Sequence, residues 1–311
     1  MNPVLALFLR VPLHGLGLFV AALPRSWEMA LGGALGRFAC AVDPKRRRIA
    51  EENIRRCLPE LSPQKRGEIL QANYEHYGIL TLELLHIFTP IKGHWRAYAA
   101  RVARLEGFDN WKRAHDKGQG TLFCSGHFAN WELMAAAGAM SGIPITIVTR
   151  HLKPEWLHRW MEATRLTTGV RCAYQPRTMP PVLKGLREGR AIGFVLDQYM
   201  PPPLGMKLRF FGMKTSTLSA VAPLARRTGA KIVPVRQLRG EDGIVRVSID
   251  PEFPLGADDA EDNQRLVDLI EMWVRDKPNQ WLWAHRRFKD VEWPDEASQL
   301  RATQEQKPEF R

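Results

Sequence analysis

From Val102 onward, short apolar runs alternate with longer amphipathic stretches. Thr121 to Cys124, Ile143 to Thr149, Ala191 to Leu196, Lys231 to Val235 and Val245 to Ile249 have the length and content of strands. Between them, Trp131 to Met140, Glu155 to Thr168, Pro181 to Glu188, Leu218 to Thr228 and Glu261 to Asp276 read as helices. The alternation predicts an α/β domain with a mixed, largely parallel central sheet flanked by helices, over residues 92–291. Upstream, residues 25–91 are helical in pattern: Ser62 is followed by Pro63 as at a helix start, and Ile69, Tyr77, Leu80 and Leu84 recur at helical spacing. Residues 292–311 form a polar tail with few apolar positions.

Residues 1–24 add an N-terminal helical membrane-associated segment. Val4 to Leu23 is a mostly apolar stretch of 20 residues, about the length that crosses a bilayer core of roughly 30 Å. Arg10, Pro12 and His14 make it a poor spanning helix, and it lacks the basic start and cleavage site of a secretory signal. A short anchor, an interfacial helix and a buried core helix all fit the run. Arg25, Arg37 and Lys45-Arg46-Arg47-Arg48 follow it, which places the next domain on the cytoplasmic side and against anionic lipid.

The chemistry concentrates in Gly120-Thr-Leu-Phe-Cys-Ser-Gly-His-Phe-Ala-Asn-Trp-Glu132. This reads as a buried strand, a small-residue turn at Ser125 and Gly126, and a helix that His127 opens. Ligands of open α/β sheets bind at the carboxyl ends of strands, which puts His127 at a crevice mouth. Glu132 stands five positions on. A His127–Glu132 pair needs the histidine in the turn and the acid on the helix; the carboxylate then holds one imidazole nitrogen and leaves the other as a base. With nine His and 33 acidic residues in 311, chance supplies about one such spacing. His285 and Asp290 are a second instance, in a basic, aromatic segment without a glycine turn.

The formal charge of +12 and pI of about 9.8 call for an acidic partner: nucleic acid, anionic lipid or an acidic carrier protein. No finger spacing or aromatic-glycine RNA motif is present, so no nucleic acid is expected. Cys40, Cys57, Cys124 and Cys172 are scattered and suggest neither disulfides nor a zinc site.

The sequence from Pro24 to Lys289 resembles the bacterial late acyltransferases of lipid A biosynthesis, of lauroyl and myristoyl type, within the lysophospholipid acyltransferase superfamily. The likeness rests on Ser125-Gly-His-Phe-Ala-Asn-Trp-Glu-Leu133, Thr149-Arg150, Leu196-Asp-Gln198, Phe210-Phe-Gly212 and Trp283-Ala-His-Arg-Arg-Phe-Lys289, with Asp43-Pro-Lys-Arg-Arg-Arg48, Glu52-Asn53 and Cys57-Leu-Pro-Glu60 upstream. It implies that His127 and Glu132 are catalytic and that Arg150, Arg165 and Asp197 belong to the site. Arg150 follows the second strand and is expected to reach the crevice of His127; arginine forks there match the phosphate of a donor or acceptor. Asp197 and Gln198 end an apolar strand, where a carboxylate needs a partner. Tyr199 stands where relatives carry a second Asp, so neither a paired carboxylate nor a metal is expected. Thr215-Ser-Thr217 reads as the cap of the helix after it.

The resemblance implies transfer of a fatty acyl chain from a thioester, carried by acyl carrier protein, to a hydroxyl of a lipid A-type glycolipid at the cytoplasmic face of the bacterial inner membrane. No cofactor is expected beyond the acyl thioester co-substrate. The alternatives are acyl-CoA as donor with another glycolipid or a lysophospholipid as acceptor, and a basic membrane-surface adaptor with an inactive site.

Overall fold

The computed structural model describes residues 3–291; the polar tail expected at 292–311 lies outside the described residues. The chain opens with four helices, α1 (Pro3–Ala22), α2 (Arg25–Val42), α3 (Pro44–Cys57) and α4 (Pro63–Leu85). Among the described residues no helix is long and apolar enough to cross a membrane, α1 included. Instead α1 docks on the turn after α4: His14 Nδ1 donates to Phe88 O at 2.8 Å, and Thr89 Oγ1 donates to Gly17 O at 3.0 Å. The start of α4 is as its sequence predicts, with Ser62 Oγ accepting from Lys65 N and Pro63 in the first turn.

Helices α2 and α4 cross on glycine. A Cβ on Gly36 would lie 2.1 Å from Tyr74 O, and one on Gly78 would lie 2.0 Å from Gly32 O, so only bare backbone allows this approach. Beside the crossing lies a buried charge cluster. Glu83 Oε1 accepts from Arg25 Nη2 at 2.6 Å and from Arg239 Nε at 3.0 Å. Burial alone would raise the Glu83 carboxyl, but Arg239 and Arg25 outweigh it and hold it below the usual range.

Next come α5 (His94–Val102), β1 (Ala103–Glu106), α6 (Phe108–His115), β2 (Thr121–Ser125), α7 (Trp131–Met140), β3 (Ile145–Arg150) and α8 (Glu155–Thr168). Then follow β4 (Arg171–Gln175), α9 (Met179–Arg187), β5 (Ala191–Val195), β6 (Gly205–Phe210), β7 (Met213–Leu218), α10 (Val221–Thr228), β8 (Lys231–Arg239), β9 (Val245–Ile249) and α11 (Asp259–Asp276). Seven strands form one sheet in the order β1-β9-β8-β2-β5-β3-β4. Strands β8, β2, β5, β3 and β4 run parallel, while β9 is antiparallel to β8 and β1 parallel to β9. This is the mixed, largely parallel sheet that the alternating pattern predicts. All five residues of β2 are buried, as befits a strand covered on both faces. Leu122 and Cys124 pack in one layer and Phe123 in the other.

The sequence reading missed β1, β4, β6 and β7. Strands β1 and β4 are short and largely polar at the two edges of the sheet. Strands β6 and β7 form a separate hairpin whose two turn residues, Phe211 and Gly212, both have positive φ, at 52° and 76°. That is the geometry of a tight primed turn. The predicted cap Thr215-Ser-Thr217 is instead the buried middle of β7, and α10 starts at Val221. Its hydroxyls and carbonyls serve Arg287, which is fully buried: Nη1 donates to Ser216 O at 2.8 Å and Nη2 to Thr217 Oγ1. Burial lowers the Arg287 pKa to about 10, Asp197 and Asp290 opposing.

Gly36→Ala should force α2 away from α4 and cost about 1–3 kcal/mol, the range for overpacking. Gly33→Ala meets only the end of the Arg37 side chain, at 3.7 Å, and should stabilise by up to about 1 kcal/mol. Denaturant unfolding of the two variants measures the difference.

Candidate active site

Strand β2 ends at Ser125, and Gly126 to Asn130 make a turn before α7 begins at Trp131. His127 therefore stands in the turn; it does not open the helix. Asn130 caps α7, its Oδ1 accepting from Glu132 N at 3.0 Å and Leu133 N at 3.2 Å. Gly126 is required, because a Cβ there would sit 2.7 Å from the Phe128 ring and 3.2 Å from Asp197 Oδ2. Buried Gln237 of β8 clamps both sides of the histidine. Its Nε2 donates to Gly126 O at 2.9 Å and Phe128 O at 3.1 Å, and its Oε1 accepts from Ser125 Oγ at 2.9 Å. Tyr77 of α4 donates its hydroxyl to His127 O at 3.3 Å.

The carboxylate that holds the imidazole is Asp197, just past the end of β5, the strand paired with β2. His127 Nδ1 donates to Asp197 Oδ1 at 2.7 Å, and His127 N donates to Oδ2 at 2.6 Å. Trp281 Nε1 donates to Oδ2 at 2.8 Å. Burial alone would raise the Asp197 carboxyl; the adjacent His127 ring and these N–H bonds outweigh it and hold it below the usual aspartate range. Ionised Asp197 fixes the ring with its proton on Nδ1, which leaves Nε2 unprotonated, an acceptor. Gln198 Nε2 donates to His127 Nε2 at 3.3 Å, consistent with that tautomer. Trp281 is positioned in turn by two asparagines. Asn73 Nδ2 donates to Trp281 O at 2.7 Å, and Asn53 Nδ2 donates to Trp283 O at 2.8 Å and His285 O at 3.0 Å.

Glu132 does not take the expected place. Its buried carboxylate forms a two-point pair with Arg165 of α8: Nε to Oε2 at 2.9 Å and Nη2 to Oε1 at 2.7 Å. Because α7 begins at Trp131, Glu132 lies on its first turn, against Arg165 of the neighbouring α8. A carboxylate buried there is strongly disfavoured without such a cation. Arg165, expected as a phosphate fork, is thereby engaged; burial works against its charge, yet Glu132 keeps its pKa raised. Arg150 also differs from expectation. It is exposed at the end of β3, where its Nε donates to Gln175 Oε1 at 3.2 Å, and it does not line the crevice.

His127, Trp131, Glu132 and Arg165 open on a cavity of about 150 Å³. The cavity runs beneath α7 across the sheet, as far as Val247 and Ile249 of β9, and its walls are mainly apolar. One side chain with a basic nitrogen thus stands over a slot suited to a hydrocarbon.

The family model for bacterial lipid A biosynthesis acyltransferases matches residues 8–290. The chain belongs to that family. This acyltransferase is 26% identical over 277 residues to the lipid A biosynthesis lauroyltransferase of Escherichia coli K12, covering 87% of this chain and 88% of that protein. It is 26% identical over 267 residues to the palmitoleoyltransferase of the same organism, covering 83% and 84%. A phosphatidylinositol mannoside acyltransferase of Mycolicibacterium smegmatis is 24% identical over 277 residues, covering 84% and 85%. Sequence reasoning on the acyltransferase missed Trp281, Gln237, Asn53 and Asn73 as parts of the site. A carboxylate closing an apolar strand at Asp197 was the one local sign that a partner had to exist.

In Asp197→Asn, the Nδ1–H of His127 loses its ionised acceptor, so its low-field proton resonance should disappear; in Glu132→Gln it should persist. The Asp197 pKa is depressed in the fold, so its stabilisation is present above the unfolded value of about 3.9 and is lost as pH falls through the lower folded value. The stability gap between wild type and Asp197→Asn should therefore narrow below about pH 4.

Proposed function

We propose that this acyltransferase moves a fatty acyl chain from acyl carrier protein to a hydroxyl of a lipid A precursor, at the cytoplasmic face of the bacterial inner membrane. The observation that carries the reading is the unprotonated Nε2 of His127, with Asp197 held on Nδ1, at the mouth of an apolar cavity. The acceptor alcohol gives its proton to Nε2 as its oxygen bonds to the thioester carbon. The tetrahedral intermediate then collapses, the carbon–sulfur bond breaks, and the departing thiolate takes the proton back from the imidazolium. Products are an ester and the carrier thiol. Asp197 stabilises the charged ring in the manner of the carboxylate of serine hydrolases, and the acceptor supplies the hydroxyl. Glu132, with Arg165, shapes the cavity wall beside the base.

The acyl chain lies in the apolar cavity, and Gln198 hydrogen-bonds the incoming acceptor. In the free enzyme its amide occupies the point next to Nε2 that the alcohol must reach. The net charge of +12 suits an acidic carrier and an anionic membrane surface. The lipid A names of the relatives favour a lipid A precursor as acceptor.

His127→Ala should stay folded and lose about 10²–10⁴ in turnover, the usual contribution of a general base. Gln198→Ala should raise the acceptor KM about tenfold, one hydrogen bond, with the donor KM unchanged. Assays with carrier-bound and CoA thioesters, on a lipid A precursor and on a phosphatidylinositol mannoside, identify donor and acceptor; full turnover by His127→Ala overturns the mechanism. Gly193 of β5 lines the cavity, and a Cβ there would make only ordinary contact, 3.6 Å from Ile147 Cγ2. Gly193→Val should keep the fold, fill the slot and shift the product to shorter acyl chains, read by mass spectrometry of the esterified lipid.

A further inference from the structure

Helix α2 has two unlike faces. Gly32 and Gly36 lie against Gly78 of α4 with no room for side chains between them. On the opposite side, Trp27, Leu31, Leu35, Phe38 and Val42 follow one another at helical spacing, exposed at 68%, 42%, 38%, 64% and 57%. Ala30, Ala34 and Ala41 are exposed beside them, Arg37 is the single charged residue of α2 that is fully exposed, and Glu28 is buried. Such a stripe on a water-facing helix marks a surface that something covers. Val11, Leu16 and Phe19 of α1 are likewise exposed. Directly after α2, the first turns of α3 present Lys45, Arg46 and Arg48 to solvent.

We infer that the α2 stripe enters an anionic lipid surface, with Lys45, Arg46 and Arg48 on the headgroup phosphates. The inference deepens the membrane location proposed above by assigning it to α2. An apolar face with a bulky aromatic near each end and cations at its edge is the composition that interfacial helices use. A second copy of the chain is the poorer occupant, because it would bring its own α3 cations and its net charge of +12 against the same charges. An exposed apolar helix face flanked by cations can lie in the interface without spanning the bilayer. α2 packs on α4, and α4 reaches His127 through Tyr77, so the lipid would stand behind the helices that support the site.

The test is cosedimentation of the full-length protein with vesicles of phosphatidylglycerol and phosphatidylethanolamine, and with vesicles of phosphatidylcholine alone. Trp27→Glu and Phe38→Glu should each weaken binding to the anionic vesicles about ten- to hundredfold. Replacing Lys45, Arg46 and Arg48 together by Gln should weaken it about fivefold per residue on anionic vesicles, and little on phosphatidylcholine. Acyl transfer to an acceptor dispersed in detergent should be unchanged in all of these variants, which verifies their folding. Undiminished vesicle binding by the two Glu variants overturns the assignment to α2 and leaves the membrane location standing. Absence of binding by the wild type overturns both, while turnover in detergent judges the enzymatic reading separately. A wild-type dimer that Trp27→Glu and Phe38→Glu dissociate would assign the stripe to a second copy and overturn the inference.

Discussion

Removing a carboxylate from water is tolerable only when its oxygens find charge or donors elsewhere, and Asp197 meets that condition with the N–H groups of His127 and Trp281. That requirement organises the site. It holds the imidazole by ring and backbone together, fixes the proton on Nδ1, and draws the indole of Trp281 across to the end of β5. The elements around it act to keep these donors in place: Gln237 pins the turn on both sides of His127, and Asn53 and Asn73 hold the segment that bears Trp281. A ring positioned this firmly needs little reorganisation for the base role proposed above.

The second acidic group near His127 has different partners. Glu132 and Arg165 cancel each other's charge at the wall of an otherwise apolar slot. Paired face to face, they can border hydrocarbon without leaving either ion exposed to it. Two carboxylates close to His127 thus serve separate ends, one orienting a ring and the other completing a wall, and their partners decide which is which.

How much of this the residues announce depends on the distance over which each feature is encoded. Helices α7 and α8 and strands β2, β3 and β5 are local, and period and length place them to within a residue or two, while β8 runs four residues past the expected Val235, to Arg239. The hairpin β6–β7 and edge strand β4 are short and partly polar, so pairing rather than pattern makes them strands. That His127 follows the end of β2 was legible because the small residues Ser125 and Gly126 break an apolar run; that it precedes α7 was not, because the cap is Asn130. Its partner was not: Asp197 is 70 residues away, brought close because β5 lies beside β2, and strand order leaves no trace in local spacing. The nearer acid, Glu132, was read as the partner from its spacing and from the family resemblance, neither of which carries the distance in space.

Asn53 and Asn73 lie early in the chain and grip the backbone around Trp281 and Trp283, near the end of the described residues. During synthesis, His127 and Asp197 are both made before the Trp281 indole that completes their bonding. The bonding around Asp197 is therefore complete only when the segment that bears Trp281 has been made and docked.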